Sequence, residues 1–363
     1  MTRLERNRRF LRDLFSGPFP GHAILVPVQT GSDDPDATAL GDFTLSDRPV
    51  KDWVPLYCRR YELQLEWLDA LDDDRVPYVG LNTNTGLFAA AFGCSLHRFE
   101  GSPAAARPLV RTASEADRLT VPEIYKAPTL ARVFELGTLL RERLGPQVPI
   151  GVPDIQSPFD IAALIWNKQD FYVAIRDEPA SVKRLVEKCT LLLKRFLLEF
   201  KREFANCNLC HCPYAWAPPE LGCWLSEDEA GAVSVGTFEE FCLPPLVELS
   251  ETFGGMFIHC CANADHQYEN FRKVPNLRGL NRVFQASGPR PAFEAFPESC
   301  VFMVAWTDEA GIVRMLEQAL PHTRFLFNPV AASLEEARGA CERLRAHCKR
   351  SIEATTVLRA RTA

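Results

Sequence analysis

Residues 223–261 carry one complete strand-helix-strand unit, CWLSEDEAGAVSVGTFEEFCLPPLVELSETFGGMFIHCC. A short apolar run, Cys223–Ser226, leads into a polar loop, and a second apolar run ends at His259. Between them, Thr237 stands three residues ahead of a glutamate, which is the spacing of a capping box and predicts a helix that opens there. Two strands joined through a helix are typical of a parallel sheet.

The same alternation extends over the whole chain. The helix pattern is clearest over residues 180–204, where apolar side chains recur every three or four residues, and Ser333 caps a last helix. Eight runs have strand character: Ile24–Gln29, Tyr78–Asn82, Pro149–Pro153, Cys223–Ser226, Gly255–His259, Leu277–Asn281, Cys300–Trp306 and Thr323–Asn328.

Eight such units predict an α/β fold, a single (β/α)8 TIM barrel with its active site where the strands end. An open doubly wound sheet is the alternative, but no Gly-x-Gly-x-x-Gly follows the first strand, as a dinucleotide-binding version would require. No linker or internal repeat interrupts the pattern, so we expect one domain over residues 1–363. Its parts are an N-terminal helix over residues 1–20, the barrel over 21–340, and a C-terminal helix and tail over 341–363.

Composition narrows the class of protein. With 363 residues and 47% hydrophobic side chains, the chain can bury a large core, and no apolar run approaches the roughly 20 residues of a membrane span. The net charge of −6, with dispersed basic residues, argues against nucleic acid as a partner. A charged N-terminus without a secretory signal and thirteen scattered cysteines favour a cytoplasmic protein with reduced thiols.

A histidine and a cysteine end the fifth predicted strand. Because side chains two residues apart on a strand face the same way, His259 and Cys261 should converge. Imidazole and thiolate are ligands that zinc prefers, although a catalytic zinc needs about three protein ligands. The alternative is a histidine bonded to a neighbouring carbonyl beside ordinary core cysteines.

A second cluster, Cys207–Cys212, stands before the fourth predicted strand and contains His211. One of Cys210, His211 or Cys212 is a candidate to complete a site with His259 and Cys261. A loop of thiols without metal is the competing interpretation.

Acidic and small polar residues follow three other strands. In the run Ser226–Glu229, Asp228 or Glu227 is a candidate catalytic acid or substrate anchor, and a solvated loop is the alternative. Two further loops, which contain Asn82 and Asp154 with Ser157, suit hydrogen bonding to a substrate, although these residue types also favour turns.

The chain resembles the uroporphyrinogen decarboxylase superfamily, which includes zinc-dependent methyltransferases that serve corrinoid proteins. Phe238–Phe241 with Pro244 is similar to the family's helix after strand four, and Gly254–Asn263 is similar to its His-x-Cys-Gly strand end. The similar segments are spread over most of the barrel: Pro77–Phe92, Val152–Leu164, Ser226–Pro245, Phe253–Asn263 and Leu277–Asn281.

The decarboxylase branch carries an Arg-x-x-Gly-Arg-Tyr segment that grips carboxylates, but residues 30–34 here are Thr-Gly-Ser-Asp-Asp. The resemblance is therefore nearer to the methyltransferase branch, whose His-x-Cys zinc ligands correspond to His259 and Cys261. The family's third ligand, a cysteine, would fall near Leu326, where no thiol stands. Asp228, Cys210, Cys212, water or a substrate thiolate are the candidate substitutes.

The resemblance implies an enzyme that transfers a methyl or other one-carbon group to or from a thiol or corrinoid acceptor, with zinc as cofactor. Asn281, at the end of its strand, is expected among the substrate-binding residues. A small-molecule substrate, a corrinoid protein partner and a homodimer are the partners expected. The alternatives are a decarboxylase or lyase that acts on a polycarboxylate or tetrapyrrole, and a noncatalytic carrier of metal or tetrapyrrole.

Overall fold

The described part of the chain comprises residues 1–29, 40–98, 104–284, 288–296 and 300–362 of a computed structural model. The Thr-Gly-Ser-Asp-Asp segment that follows the first strand lies outside these residues. No helix in the described ranges has the length and apolar character needed to span a membrane.

Parallel strands dominate the described ranges. A six-stranded sheet has the order β1-β11-β10-β9-β8-β7, and a three-stranded sheet has the order β2-β5-β6. The strands are β1 Ala23–Ile24, β2 Val79–Gly80, β3 Leu96–Arg98, β4 Ala104–Ala106, β5 Ile150–Gly151, β6 Cys207–Asn208, β7 Cys223–Ser226, β8 Met256–Cys260, β9 Leu277–Arg282, β10 Val301–Ala305 and β11 Arg324–Asn328.

All eight predicted strands are confirmed, at β1, β2, β5 and β7 to β11. The segment interpreted as a loop of thiols begins with a strand that was not predicted, because Cys207–Asn208 forms β6 and pairs with Ile150–Gly151. A strand of two residues is too short to show a period of two, so the sequence pattern could not reveal it. The antiparallel pair β3 and β4 stands apart from the parallel sheets.

One junction between the two sheets lies just after β5, where the chain contacts β7. Gln156 forms a parallel bridge with Ser226 of β7. The Ser226 N–H donates to the carbonyl of Ile155 at 2.7 Å, and the Ser157 N–H donates to the carbonyl of Ser226 at 2.6 Å. The chain beyond β5 thus lies beside β7, whereas β5 itself pairs with β6.

The other junction, between β1 and β2, is made by carboxylates, and we call it the seam. The N–H groups of Ile24 and Val26 donate to the side chains of Asp74 at 2.8 Å and Asp73 at 3.0 Å. The Asp74 N–H in turn donates to the Ile24 carbonyl at 2.8 Å. Arg75 neutralises Asp73 in a buried ion pair at 2.5 Å. Side chains therefore satisfy strand groups that a neighbouring strand would otherwise bond.

Helices and turns of helix connect the strands, as in an α/β barrel. They are α1 Arg3–Ser16, α2 Val54–Ala70, α3 Leu87–Ala91, α4 Ala113–Arg118, α5 Pro128–Leu144, α6 Pro158–Ile165, α7 Lys168–Asp177, α8 Pro179–Glu203, α9 Val235–Thr237, α10 Leu243–Phe253, α11 Tyr268–Phe271, α12 Arg290–Ala295, α13 Glu309–Gln318 and α14 Leu334–Thr362. The helices predicted over residues 180–204 and after Ser333 are confirmed.

The helix between β7 and β8 begins earlier than the capping box predicts. Ser234, not Thr237, is its N-cap, and the Ser234 hydroxyl accepts from the Thr237 N–H at 3.1 Å. The backbone widens into a π-helix over Phe238–Cys242 before α10. Pro244 and Pro245 follow, and neither has an N–H for the carbonyl four residues earlier, which accounts for the irregular turn.

Two glycines allow β7 and β8 to start side by side. Gly222 has φ +144°, and a Cβ atom built there would lie 2.2 Å from the carbonyl oxygen of Gly255. Gly255 itself has φ +155°. Only glycine fits both the backbone conformation and the close approach. The approach sets the register of β7 and β8, which fixes where the two strands end.

Candidate metal centre

Three neighbouring strands end in register at one edge of the barrel. Ser226 of β7 pairs with His259 of β8, and His259 pairs with Asn281 of β9. Asp228 and Cys261 each lie two residues beyond a member of this row. The carboxyl ends of barrel strands are where this fold places catalytic groups.

The structure brings together Asp228, His259 and Cys261, which we call the Asp-His-Cys group. One ligand atom from each side chain lies within 4.8 Å of the other two. Asp228 Oδ1 is 3.3 Å from Cys261 Sγ and 4.0 Å from His259 Nε2. The convergence of His259 and Cys261 expected from their spacing is therefore observed, with a carboxylate as the third member.

Asn281 sets the orientation of the His259 ring. Its Nδ2 donates to the carbonyl of Met303, so its Oδ1 is the atom that faces His259. That oxygen is 2.5 Å from His259 Nδ1. Because an amide oxygen can only accept, Nδ1 carries the proton, and the neutral ring has its lone pair on Nε2. Nε2 is the nitrogen that faces Asp228.

Asp228 is fixed by backbone groups on both sides. Its own N–H donates to Asp160 Oδ2 at 2.7 Å, and its Oδ1 accepts from the Cys261 N–H at 2.8 Å. The Cys261 thiol donates to the same oxygen at 3.3 Å. Burial first, and then the Asp228 charge, raise the pKa of Cys261 to about 11. Without a metal, this thiol is protonated at neutral pH.

The donor set fits zinc. Zinc takes nitrogen, sulfur and oxygen ligands at about 2.0–2.3 Å in a tetrahedron, so neighbouring donors should stand about 3.3–3.8 Å apart. The two separations from Asp228 Oδ1, 3.3 and 4.0 Å, lie at or near that range. Three protein donors leave a fourth position open, as in catalytic zinc sites.

Comparison with known proteins identifies the family. The sequence profile of uroporphyrinogen decarboxylase (URO-D) matches residues 78–281, more than half of the chain. The chain belongs to the uroporphyrinogen decarboxylase family. A solved methyltransferase from Methanosarcina mazei aligns over 93% of this chain and 98% of that chain, with a TM-score of 0.67 and 14% sequence identity. At that identity the likeness shows the fold, the family's (β/α)8 barrel. A search of curated proteins finds no match.

In this URO-D family member, an apolar residue stands where the methyltransferase branch would have its third zinc ligand, a cysteine. Leu326, in the middle of β11, is fully buried. Cys341 and Cys348, the next thiols along the chain, are buried on α14. Asp228 is the described side chain that stands with His259 and Cys261 instead.

The cysteine cluster around β6 does not join the Asp-His-Cys group. Cys210 is buried, and burial raises the pKa of its thiol. Cys212 lies closer, with Sγ 3.7 Å from Asn281 Oδ1, and burial followed by the charge of Asp154 raises its pKa to about 12. His211 Nε2 lies 3.9 Å from Asp154 Oδ2. Cys210 and Cys212 therefore remain predicted ligands that the described geometry does not bring into the group.

Glu227, a predicted catalytic residue, is fully buried behind the centre. Neither of its carboxylate oxygens has a partner in hydrogen-bond geometry among the described residues. Burial and the nearby Asp160 raise the pKa of Glu227 well above its ordinary value. Burial and the charge of Asp228 raise the pKa of Asp160 as well. A layer of buried acids therefore supports Asp228, and a catalytic role for Glu227 stays a prediction.

The four predicted substrate-binding residues have different surroundings. Asn281 is buried against His259, so it positions a ligand side chain. Ser157 is buried as the N-cap of α6, where its hydroxyl accepts from the Asp160 N–H at 3.0 Å. Asp154 is partly exposed near His211, and Asn82 lines a cavity at the seam. The last two stay candidates for substrate contact.

Two residues of the site escaped the sequence analysis. Trp306, which follows β10, is 64% exposed, and its ring lies 5.9 Å from the His259 ring. Its φ of +54° is unusual for a bulky residue. Asp160 accepts the N–H groups of Asp228 and Glu229. The strand-end position of Trp306 was a usable signal, whereas the contact of Asp160 with another loop is visible only in three dimensions.

Proposed function

We propose that the chain is a zinc-dependent enzyme that transfers a methyl or other one-carbon group to or from a thiol or corrinoid acceptor. The observation that carries this proposal is the Asp-His-Cys group at the barrel mouth, with His259 Nδ1 bonded to Asn281 and Nε2 facing Asp228. When bound, zinc supplies Lewis acidity that lowers the pKa of a thiol and keeps it as a nucleophilic thiolate.

The chain's own residues prepare this site. Asn281 accepts a hydrogen bond from His259 Nδ1, which leaves Nε2 as the ring nitrogen that could bind a metal. Asp228 Oδ1 accepts a hydrogen bond from the Cys261 thiol, which holds these two side chains next to each other, and the thiol proton would pass to solvent if the sulfur became a ligand. The rings of Trp306 and Trp224 lie 5.9 and 6.3 Å from the His259 ring and form apolar surfaces beside it.

Metal analysis tests the proposal. Protein purified without chelators is expected to carry about one zinc per chain, measured by mass spectrometry of the metal. His259→Ala and Cys261→Ser should lose it, while Cys58→Ser, a matched cysteine change on α2, should keep it. A zinc-free wild-type protein that takes up no zinc on titration would refute the metal centre.

Turnover is tested separately with methylcobalamin as donor and 2-mercaptoethanol as acceptor. Demethylation of the corrinoid, followed by its absorbance, should require zinc and fail in His259→Ala. Decarboxylation of a polycarboxylate or tetrapyrrole by the zinc-free enzyme would instead favour the lyase alternative. A corrinoid protein partner, a homodimer, a cytoplasmic location and a single domain over residues 1–363 belong to the same proposal.

A further inference from the structure

A cavity of about 320 Å³ lies at the seam, beneath α2. It is lined by residues of α2, of β2 and of the segment that follows β1, with Tyr214 and Asn328 on the barrel side. Its volume is at the lower end of the range typical of small-molecule sites. Much of the lining is apolar or aromatic: Leu25, Tyr57, Leu63, Trp67, Val76 and Val79.

Arg60 gives this cavity a positive charge, and no carboxylate of the described residues forms an ion pair with it. Its guanidinium stands 5.5 Å from the centre of the Tyr57 ring. Arg75, which also lines the cavity, is paired with Asp73 at 2.5 Å. Asp42, in an adjoining cavity lined by Arg60, accepts from Thr44 and Asn84. Arg60 is thus placed to receive an anion from outside.

Two further polar groups of the lining lack partners in the described part of the chain. The Tyr78 hydroxyl and Asn82 Oδ1 are buried atoms without a hydrogen bond. Leaving such a group unpaired is unfavourable unless a ligand or water satisfies it. Among the polar groups of the lining, the Arg60 guanidinium is the one that the apolar space offers to an anion, and the two buried atoms belong to the wall of that space.

The cavity is connected to the metal centre by a row of rings. Tyr214 lines the cavity, and its ring lies 6.2 Å from that of His211. His211 is 5.3 Å from Trp224, and Trp224 is 6.3 Å from His259. The cavity and the Asp-His-Cys group are therefore linked through three successive ring contacts.

We propose that the seam cavity binds a small organic acid, with its carboxylate or similar anionic group on Arg60 and its apolar body between α2 and the seam strands. Identifying this acid as the substrate of the metal centre rests on the proposed function, whereas its binding does not. Planar guanidinium groups bind carboxylates through paired hydrogen bonds.

The test uses the full-length chain, stripped of metal with a chelator, and two probes that differ in charge. Binding of 4-fluorobenzoate and of its neutral analogue 4-fluorobenzamide is followed by fluorine NMR. We expect the acid to bind at least about tenfold more tightly than the amide. Arg60→Gln should abolish this preference, and Arg60→Lys should retain part of it. Arg59→Gln removes an exposed neighbour paired with Glu66 and should change nothing.

A size variant checks that the probes occupy the cavity. A Cβ atom added at Gly80 would lie 3.3 Å from Tyr78 Cε2 and 3.5 Å from Asn82 Oδ1, so Gly80→Ala should narrow the space and weaken both probes. Thermal melts establish that each variant is folded.

Three outcomes overturn the proposal: neither probe binds, both bind equally, or folded Arg60→Gln and Arg60→Lys keep the full preference for the acid. Zinc content is measured on the same preparations before chelation. Loss of acid binding with zinc retained rejects the seam site alone, and acid binding by a protein that takes up no zinc rejects the metal centre alone.

Discussion

His259 Nδ1 lies 2.5 Å from Asn281 Oδ1, on the side of the ring opposite the nitrogen that faces Asp228. The Asn281 amide cannot turn over without losing its bond to the Met303 carbonyl. Asn281 of β9 and Met303 of β10 thereby fix the direction in which His259 Nε2, the candidate ligand atom on β8, points. Second-layer partners of this kind typically change metal affinity by about 10–100-fold when they are removed.

Asn281→Ala should therefore weaken zinc binding by roughly 10–100-fold without removing any ligand. Competition against a chromophoric chelator at pH 7 measures the affinity. Asn263→Ala, in the exposed loop after β8, serves as the control and should match the wild type. Unchanged affinity in a folded Asn281→Ala protein would mean that His259 needs no help with its orientation.

The raised pKa of Cys261, about 11, makes a prediction for the metal-free protein. At pH 8 only about one thiol in a thousand is ionised at such a pKa, compared with about one in ten for a thiol of pKa 9. Alkylation of Cys261 by iodoacetamide should be slow at pH 8 and accelerate towards pH 11, as followed by peptide mass spectrometry.

Asp228→Asn should increase the rate at pH 8 severalfold, because the Asp228 charge is the second cause of the raised pKa after burial. Glu239→Gln, on the remote π-helix, should leave the rate unchanged. Fast alkylation in the wild type at pH 8 would contradict the described contact between Cys261 and Asp228.

Glu227 gives a prediction with the opposite dependence on pH from the usual carboxylate. The pKa of Glu227 is raised in the folded protein, so folding favours the protonated carboxyl. The stability that the protonated carboxyl contributes is therefore lost as the pH rises. Glu227→Gln keeps the shape of the neutral acid, so it should stabilise the protein at pH 9 relative to the wild type. Urea unfolding should show a gain of the order of 1–3 kcal/mol at pH 9 that shrinks towards pH 6.

Glu240→Gln, an exposed change with the same chemistry, is the comparison. It should alter the unfolding free energy little at either pH. A Glu227→Gln protein that loses stability equally at pH 6 and pH 9 would show that Glu227 is charged and bonded in the folded state.

The barrel could be predicted because its strands are buried on both faces and separated by amphipathic helices. All residues of Cys223–Ser226 and of Met256–Cys260 are buried, so each appears as an apolar run. Thr237 was a misleading cap because the same segment holds Ser234, and the sequence does not show which hydroxyl the backbone uses. Such choices depend on where the chain enters from β7.

The metal centre was predictable in part for a similar reason. His259 and Cys261 belong to one strand end, and a period of two places them together. The sequence does not show which of Asp228, Cys210, Cys212 or a non-protein donor stands with His259 and Cys261, because Asp228 and the two cysteines come from loops outside β8. What selects Asp228 is a tertiary contact, the pair of bonds from the N–H groups of the Asp228 loop to Asp160 on α6.

Protonation of the buried His22 should lower the stability of the folded protein in acid. The ring is buried between Phe19 and Phe325, and its Nδ1 has no partner among the described residues. Burial lowers its pKa from 6.5 to about 4. The unfolded chain therefore binds a proton more readily than the folded one, and stability present above pH 6.5 is lost as the pH falls through 4.

The difference between the two pKa values corresponds to roughly 3 kcal/mol of unfolding free energy lost by pH 4. His22→Leu cannot take up the proton, so its urea midpoint should fall less between pH 7 and pH 4.5 than that of the wild type. His347→Gln, on the outer helix α14, should keep the wild-type slope. If wild type and His22→Leu lose stability in parallel over this range, protonation of His22 does not contribute to acid unfolding.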